Sequence, residues 1–92
     1  MELTSKRRAE LKAQAHSLDP VAQIGKLGVT PEAITNIEKA LVDHRLIKVK
    51  FIGFKETRRE LSEEIAGATD SILIDIIGNV AILYREKQEA SG

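Results

Sequence analysis

Apolar and polar residues change period several times along this chain, and each change marks an element. Leu11, Ala15 and Leu18 are spaced four and three apart, so they share one face of a helix that Thr4 or Ser5 can cap. That helix is expected to run to about Ser17, before Asp19-Pro20 ends it. Val21 to Ile24 is a short apolar run that reads as a first strand. Ile34, Ile37 and Leu41 then mark the buried stripe of a second helix, ending near His44. Its entrance is well signalled: Thr30 suits the N-cap, Pro31 suits the first helical position, and Val29 and Ile34 are placed as a hydrophobic staple. Over Leu46 to Phe51 the period drops to two. Ile47, Val49 and Phe51 point one way, and Lys48 and Lys50 the other, which predicts a half-buried strand with a basic outer face.

Thr57-Arg58-Arg59-Glu60 has the form of a capping box, and Leu61 and Ile65 supply the stripe of a third helix. Ile72 to Ile77 is almost continuously apolar, the pattern of a central strand covered on both faces. Gly78-Asn79 fits a two-residue hairpin turn of type II′, and Val80 to Tyr84 is the returning strand. The polar stretch 86–92 is expected to fray. The predicted order is α-β-α-β-α-β-β. It implies one small α/β (α+β) domain over 1–85, with helices packed on a mixed four-stranded sheet and the first helix covering part of the second face.

Composition narrows the class. At 92 residues and 42% apolar, the chain suits a single folded domain with a modest core. It has no cysteine, so neither disulfides nor thiolate metal sites arise. Lys6, Arg7 and Arg8 are not followed by an apolar leader segment, and no apolar run is long enough for a membrane span, which gives a cytoplasmic expectation. Net charge is zero but unevenly spread. Residues 1–59 carry 12 Lys/Arg against 7 Asp/Glu, and residues 60–92 carry 2 against 7. Such asymmetry suits a polarised surface.

Enzyme signatures are thin. His16 and His44 each fall near a helix end, where the dipole favours them, and they have no metal-ligand spacing. Glu60, Glu63 and Glu64 read as a solvated helix face. No phosphate-binding nucleotide motif or nucleophile elbow occurs. No catalytic residue, cofactor, metal or small-molecule substrate is therefore assigned.

The strongest functional signal is Gly25-Lys26-Leu27-Gly28, between the first strand and the proline-started helix. Glycines let another backbone approach closely, a helix start favours phosphate, and Lys26 adds a point charge. A GxxG loop that clamps a nucleotide backbone is the device of KH domains. Only Phe51, Phe54 and Tyr84 are aromatic, too few for a base-stacking platform, so contact is expected through RNA backbone and shape. Lys6, Arg7, Arg8 and Lys12 on the first helix, with Lys48 and Lys50 on the second strand, are expected to group around the loop as an electrostatic footprint.

Four ordered segments carry a broader likeness. Leu3-Thr4-Ser5-Lys6, Ile24 to Thr30, His44 to Lys50, and Ile77 to Arg85 resemble the YhbY-like, or CRM-domain, family across nearly the whole chain. The resemblance implies a fold similar to the C-terminal domain of bacterial translation initiation factor three. It also implies RNA binding through the GxxG loop. At this length the chain looks like the stand-alone bacterial members, which are associated with precursor large ribosomal subunits and thus with large-subunit rRNA and ribosome assembly. The chain departs from the family pattern around Gly53-Phe54-Lys55 and in the acidic third helix. The alternative is a protein–protein module that docks that helix or a sheet edge on a ribosomal protein. The chain is expected to be a monomer.

Overall fold

The computed structural model describes residues 3–86. The expected polar tail lies outside the described residues except for Glu86. The elements are α1 (Ser5–Ala15), β1 (Ala22–Ile24), α2 (Pro31–His44), β2 (Leu46–Phe51), α3 (Arg58–Ala68), β3 (Ile72–Ile77) and β4 (Val80–Tyr84). They follow the predicted order and form one four-stranded mixed sheet, β1-β2-β4-β3. β1 runs parallel to β2, while β4 is antiparallel to both β2 and β3.

Helix starts follow their sequence signals in two cases out of three. Thr4, not Ser5, caps α1, accepting the Arg7 amide at 3.0 Å. Thr30 caps α2, accepting the Ala33 amide at 3.1 Å, with Pro31 opening the helix. The capping box at Thr57 does not form: its backbone sits at φ −114°, ψ 6°, and its side chain accepts no cap hydrogen bond. A capping hydroxyl reaches the amides ahead of it from extended backbone, which Thr57 lacks. α3 ends in a Schellman arrangement, with Ser71 donating its amide to Ala66 and Asp70 in the left-handed conformation.

The sheet carries a separate core on each face. On one, α2 and α3 bury Ile37, Leu41 and Ile65 against Ile24, Ile47, Val49, Phe51 and Leu83. On the other, α1 buries Leu11 and Ala15 against Leu46, Ile74, Ile82 and Tyr84. α1 thus covers the second face, as the chain pattern implied. It stops at Ala15, two residues earlier than expected, and Leu18 falls outside the buried stripe at 37% exposure.

β3 is not the central strand. It lies at an edge, and β4 inserts between it and β2. Its continuous apolar run has another cause. Leu73 pairs with Leu83 and Asp75 with Ile82, so Ile74 is an extra residue in a β-bulge. The bulge lets Ile74 join the α1 core while Leu73 and Ile76 pack toward α2 and α3. β4, buried from Ala81 to Tyr84, is the strand covered on both faces.

Candidate nucleic-acid interface

Three connections meet at one end of the sheet. Gly25–Gly28 follows β1, residues 52–57 follow β2, and Gly78-Asn79 joins β3 to β4. Asn79 accepts the Phe51 amide at 2.7 Å on its carbonyl and donates its side-chain amide to the Phe51 carbonyl at 3.1 Å. Arg58 binds the other two connections together, donating to the Gly53 carbonyl at 3.1 Å and the Gly78 carbonyl at 3.0 Å. The two-residue hairpin has Gly78 at φ 60° with Asn79 outside the positive-φ region, as a type II′ turn requires.

The GxxG segment is a β-turn closed by the Gly28 amide donating to the Gly25 carbonyl at 2.8 Å. Neither Lys26 nor Leu27 has positive φ, which excludes types II, I′ and II′. Both side chains are exposed, Leu27 at 87%. The Lys26 and Leu27 amides make no hydrogen bond within the described residues, so they are available to a ligand.

The two glycines differ in their reasons. Gly28 sits at φ 74°, where an L side chain is strained, and the Phe54 ring lies 3.9 Å from where its Cβ would be. Gly25 has ordinary φ, and a Cβ there would meet nothing within 4 Å. Nothing inside the chain requires glycine at position 25, whereas a ligand backbone lying against the turn would.

The start of α2 contributes less than its sequence suggests. Pro31 has no N–H, and the Ala33 amide is taken by Thr30. That leaves the Glu32 amide in the first three helical positions, next to its own carboxylate. The loop amides, more than the helix entrance, are the free main-chain donors at this corner.

The cations expected around the loop do not all gather there. α1 reaches across to the β3 edge, opposite the edge formed by β1. Three strand spacings, about 14 Å, separate these edges. Arg8 donates to the carbonyls of Leu73 and Ile74 at the bulge, both at 2.9 Å. Lys12 pairs with Asp75 at 2.8 Å, and Arg7 with Glu10 at 3.5 Å. The Arg7 guanidinium also lies over the Tyr84 ring, 5.7 Å from its centroid. Contact with Tyr84, then with Glu10, raises the Arg7 pKa further. The Lys12 hydrogen bond, helped by the Ile76 amide, lowers the Asp75 pKa against the opposing effect of burial. Lys6 is exposed and unpaired among the described residues, but it too belongs to α1.

The two strand lysines part company. Lys48 donates to the carbonyls of His16 at 3.3 Å and Leu18 at 3.0 Å, holding the chain where it leaves α1. Lys50 pairs in register with Gln23 on β1, two residues before the turn, and its ammonium has no partner among the described residues. The loop end therefore carries Lys26 and Lys50, joined by the exposed, unpaired Lys55 of the next connection. Phe54 and Arg58, which shape this end, carry no local sequence signal. Phe54 is a non-glycine residue at φ 57°, and Arg58 acts on residues 5 and 20 positions away.

Among the described residues no group of three or more His, Asp or Glu side chains is placed to hold a metal ion. No helix there is long and apolar enough to cross a membrane.

Comparisons with known proteins show the family. The CRS1 / YhbY (CRM) domain model matches residues 3–85. A Haemophilus influenzae protein named RNA-binding protein is 38% identical over 89 residues, covering 96% of this chain and 90% of its own. YqeI of Bacillus subtilis, named a probable RNA-binding protein, is 36% identical over 88 residues, covering 95% and 92%. The solution structure of SAV1595 from Staphylococcus aureus, described as a candidate RNA-binding protein, superposes with a TM-score of 0.83 at 37% identity, covering 98% and 95%. Fold, length and sequence agree across these relatives, and the chain belongs to the CRS1 / YhbY (CRM) domain family.

Proposed function

We propose that this protein is a non-enzymatic RNA-binding protein that grips an RNA backbone at the Gly25–Gly28 turn. The observation that carries the reading is the turn itself. Two unengaged amides, an exposed lysine and a glycine with no internal reason to be one occupy a single exposed corner. Membership of the CRM family and the names of the relatives support RNA as the ligand. Amides and lysines act on phosphate with little base discrimination, so affinity would depend steeply on salt.

The finer reading is large-subunit ribosomal RNA in a precursor particle, bound by a monomer acting in the cytoplasm as an assembly factor. Its support is the four-segment likeness to stand-alone bacterial family members. Crosslinking in cells, with attachment sites mapped on both partners, tests it. The expected result is adducts at Lys26 and its neighbours, joined to large-subunit rRNA from pre-ribosomal particles. Adducts confined to other RNAs would overturn the finer reading and leave the coarser one standing.

A further inference from the structure

The GxxG turn is one end of a longer groove. A depression of about 240 Å³ is lined by Gln23, Gly25 to Gly28, Thr30 and Ala33. It shares Gln23 and Ala33 with a second, of about 310 Å³, between β1 and α2, whose wall adds Asn36, Lys39, Asp43 and His44. The groove thus follows the outer edge of β1 away from the turn. β1 is an edge strand, paired among the described residues with β2 alone. The Ile24 carbonyl accepts the Ile52 amide on the β2 side. In a strand the N–H and C=O of one residue point the same way, so Ala22 and Ile24 face β2, and the Gln23 amide and carbonyl turn outward, into the groove.

Charge changes sign along this path. Lys26 stands at the turn and Lys39 midway, both exposed and unpaired among the described residues. Asp43 stands at the far end, with Asp19 beyond it in the adjoining depression below α1. A polyanion laid in the groove meets attraction from the turn to Lys39 and repulsion past it. The middle of the path carries the side-chain amides of Gln23 and Asn36, which can pair with base edges as donors and acceptors. Depressions of this size between a strand and a helix admit a splayed-out base but not a duplex.

We propose that the β1–α2 groove is the path of single-stranded RNA leaving the GxxG turn, with Lys39 on its phosphates and Gln23, Asn36 and the β1 main chain on its bases. This rests on the RNA reading of the turn and extends it. It assigns the ligand as unpaired RNA, and it makes Lys39 and Asn36 of α2 contact residues and Asp43 the charge that ends the track. A protein strand added to β1 would use the same outward Gln23 main chain, but it would not need the basic gradient.

Fluorescence anisotropy with a labelled mixed-sequence single-stranded RNA, and with the same RNA annealed to its complement, tests this on the whole chain. Lys39→Glu and Asn36→Ala change exposed helix positions, and circular dichroism verifies their fold. Lys39→Glu should weaken single-strand binding by about fivefold or more and lower the salt slope by about 0.7, the share of one phosphate. Asn36→Ala should weaken binding without changing the slope, and Asp43→Asn should strengthen it. The duplex should bind less tightly than the single strand. Wild-type affinity in both Lys39→Glu and Asn36→Ala, with binding lost in Lys26→Glu, would overturn the groove, leave the turn in place and free the β1 edge for a protein partner. Wild-type affinity in Lys26→Glu as well would overturn the RNA reading of the turn itself. Tighter binding of the duplex would also overturn the groove.

Discussion

Lys48 holds the chain rather than standing free at the turn, and Lys48→Met makes the difference measurable. The substitution keeps most of the apolar stem on the sheet and removes the ammonium that holds the His16 and Leu18 carbonyls. A hydrogen bond to a charged group contributes about 1.5–3 kcal/mol when fully formed. Both carbonyls lie at the surface, and one bond is long at 3.3 Å, so water replaces much of what is lost. The net cost should be about 1 kcal/mol, which lowers Tm by about 4–8 °C in a domain of this size. The α1–β1 connection should loosen locally, so amide exchange should quicken from His16 to Val21. RNA affinity and its salt slope should stay within error of wild type. A variant with unchanged Tm and a salt slope reduced by about 0.7 would refute this, because Lys48 would then be neutralising phosphate rather than holding the chain.

Other perturbations probe the frame around the site. Leu11→Ala should destabilise by about 3–5 kcal/mol in chemical denaturation, because Leu11 is 1% exposed at the centre of the α1 core. The Ser62 hydroxyl is fully buried in α3 without a partner among the described residues, so Ser62→Ala should raise stability by about 1 kcal/mol rather than lower it. The Lys12 contact lowers the Asp75 pKa, so this pair stabilises the fold above the ordinary carboxylate pKa, and the gain is lost as pH falls through the depressed value. Carbon-detected NMR titration should place Asp75 below the usual aspartate range and, in Lys12→Met, move it upward; an unmoved midpoint would reject the pairing. Gly25→Ala should leave Tm unchanged, since its Cβ meets open space, yet weaken RNA binding.

Much of the fold is legible in the chain, and the departures have physical causes. Helical spacings, the alternation of β2, the apolar runs of β1 and β3 and the hairpin signal before β4 place every element, and Thr30-Pro31 fixes the start of α2 to the residue. Strand order is not legible, because a hairpin signal at Gly78-Asn79 says that β3 and β4 pair but not which of them meets β2. The apolar run of β3 points to the centre, but the bulge at Ile74 and cover from α1 and α3 explain it equally well at an edge. The site was legible at the turn and less so around it. Cations on α1 read alike in sequence, yet Arg8 and Lys12 are held by the bulge carbonyls and by Asp75. Lys39 sits on α2 outside the Ile34, Ile37 and Leu41 stripe, and its place beside β1 depends on packing.

The central claim is that the Gly25–Gly28 turn holds RNA by its backbone. Titrating a single-stranded fragment of large-subunit rRNA with wild type and Lys26→Glu, from about 50 to about 200 mM salt, tests it most directly. With Lys26, Lys50 and Lys55 free at that end and Lys39 along the groove, about four phosphates are neutralised, and log K should fall with log salt at a slope of roughly −3. Lys26→Glu should stay folded, bind about tenfold or more weakly and give a shallower slope, by about 0.7. A folded Lys26→Glu protein that binds with wild-type affinity and slope would contradict the account.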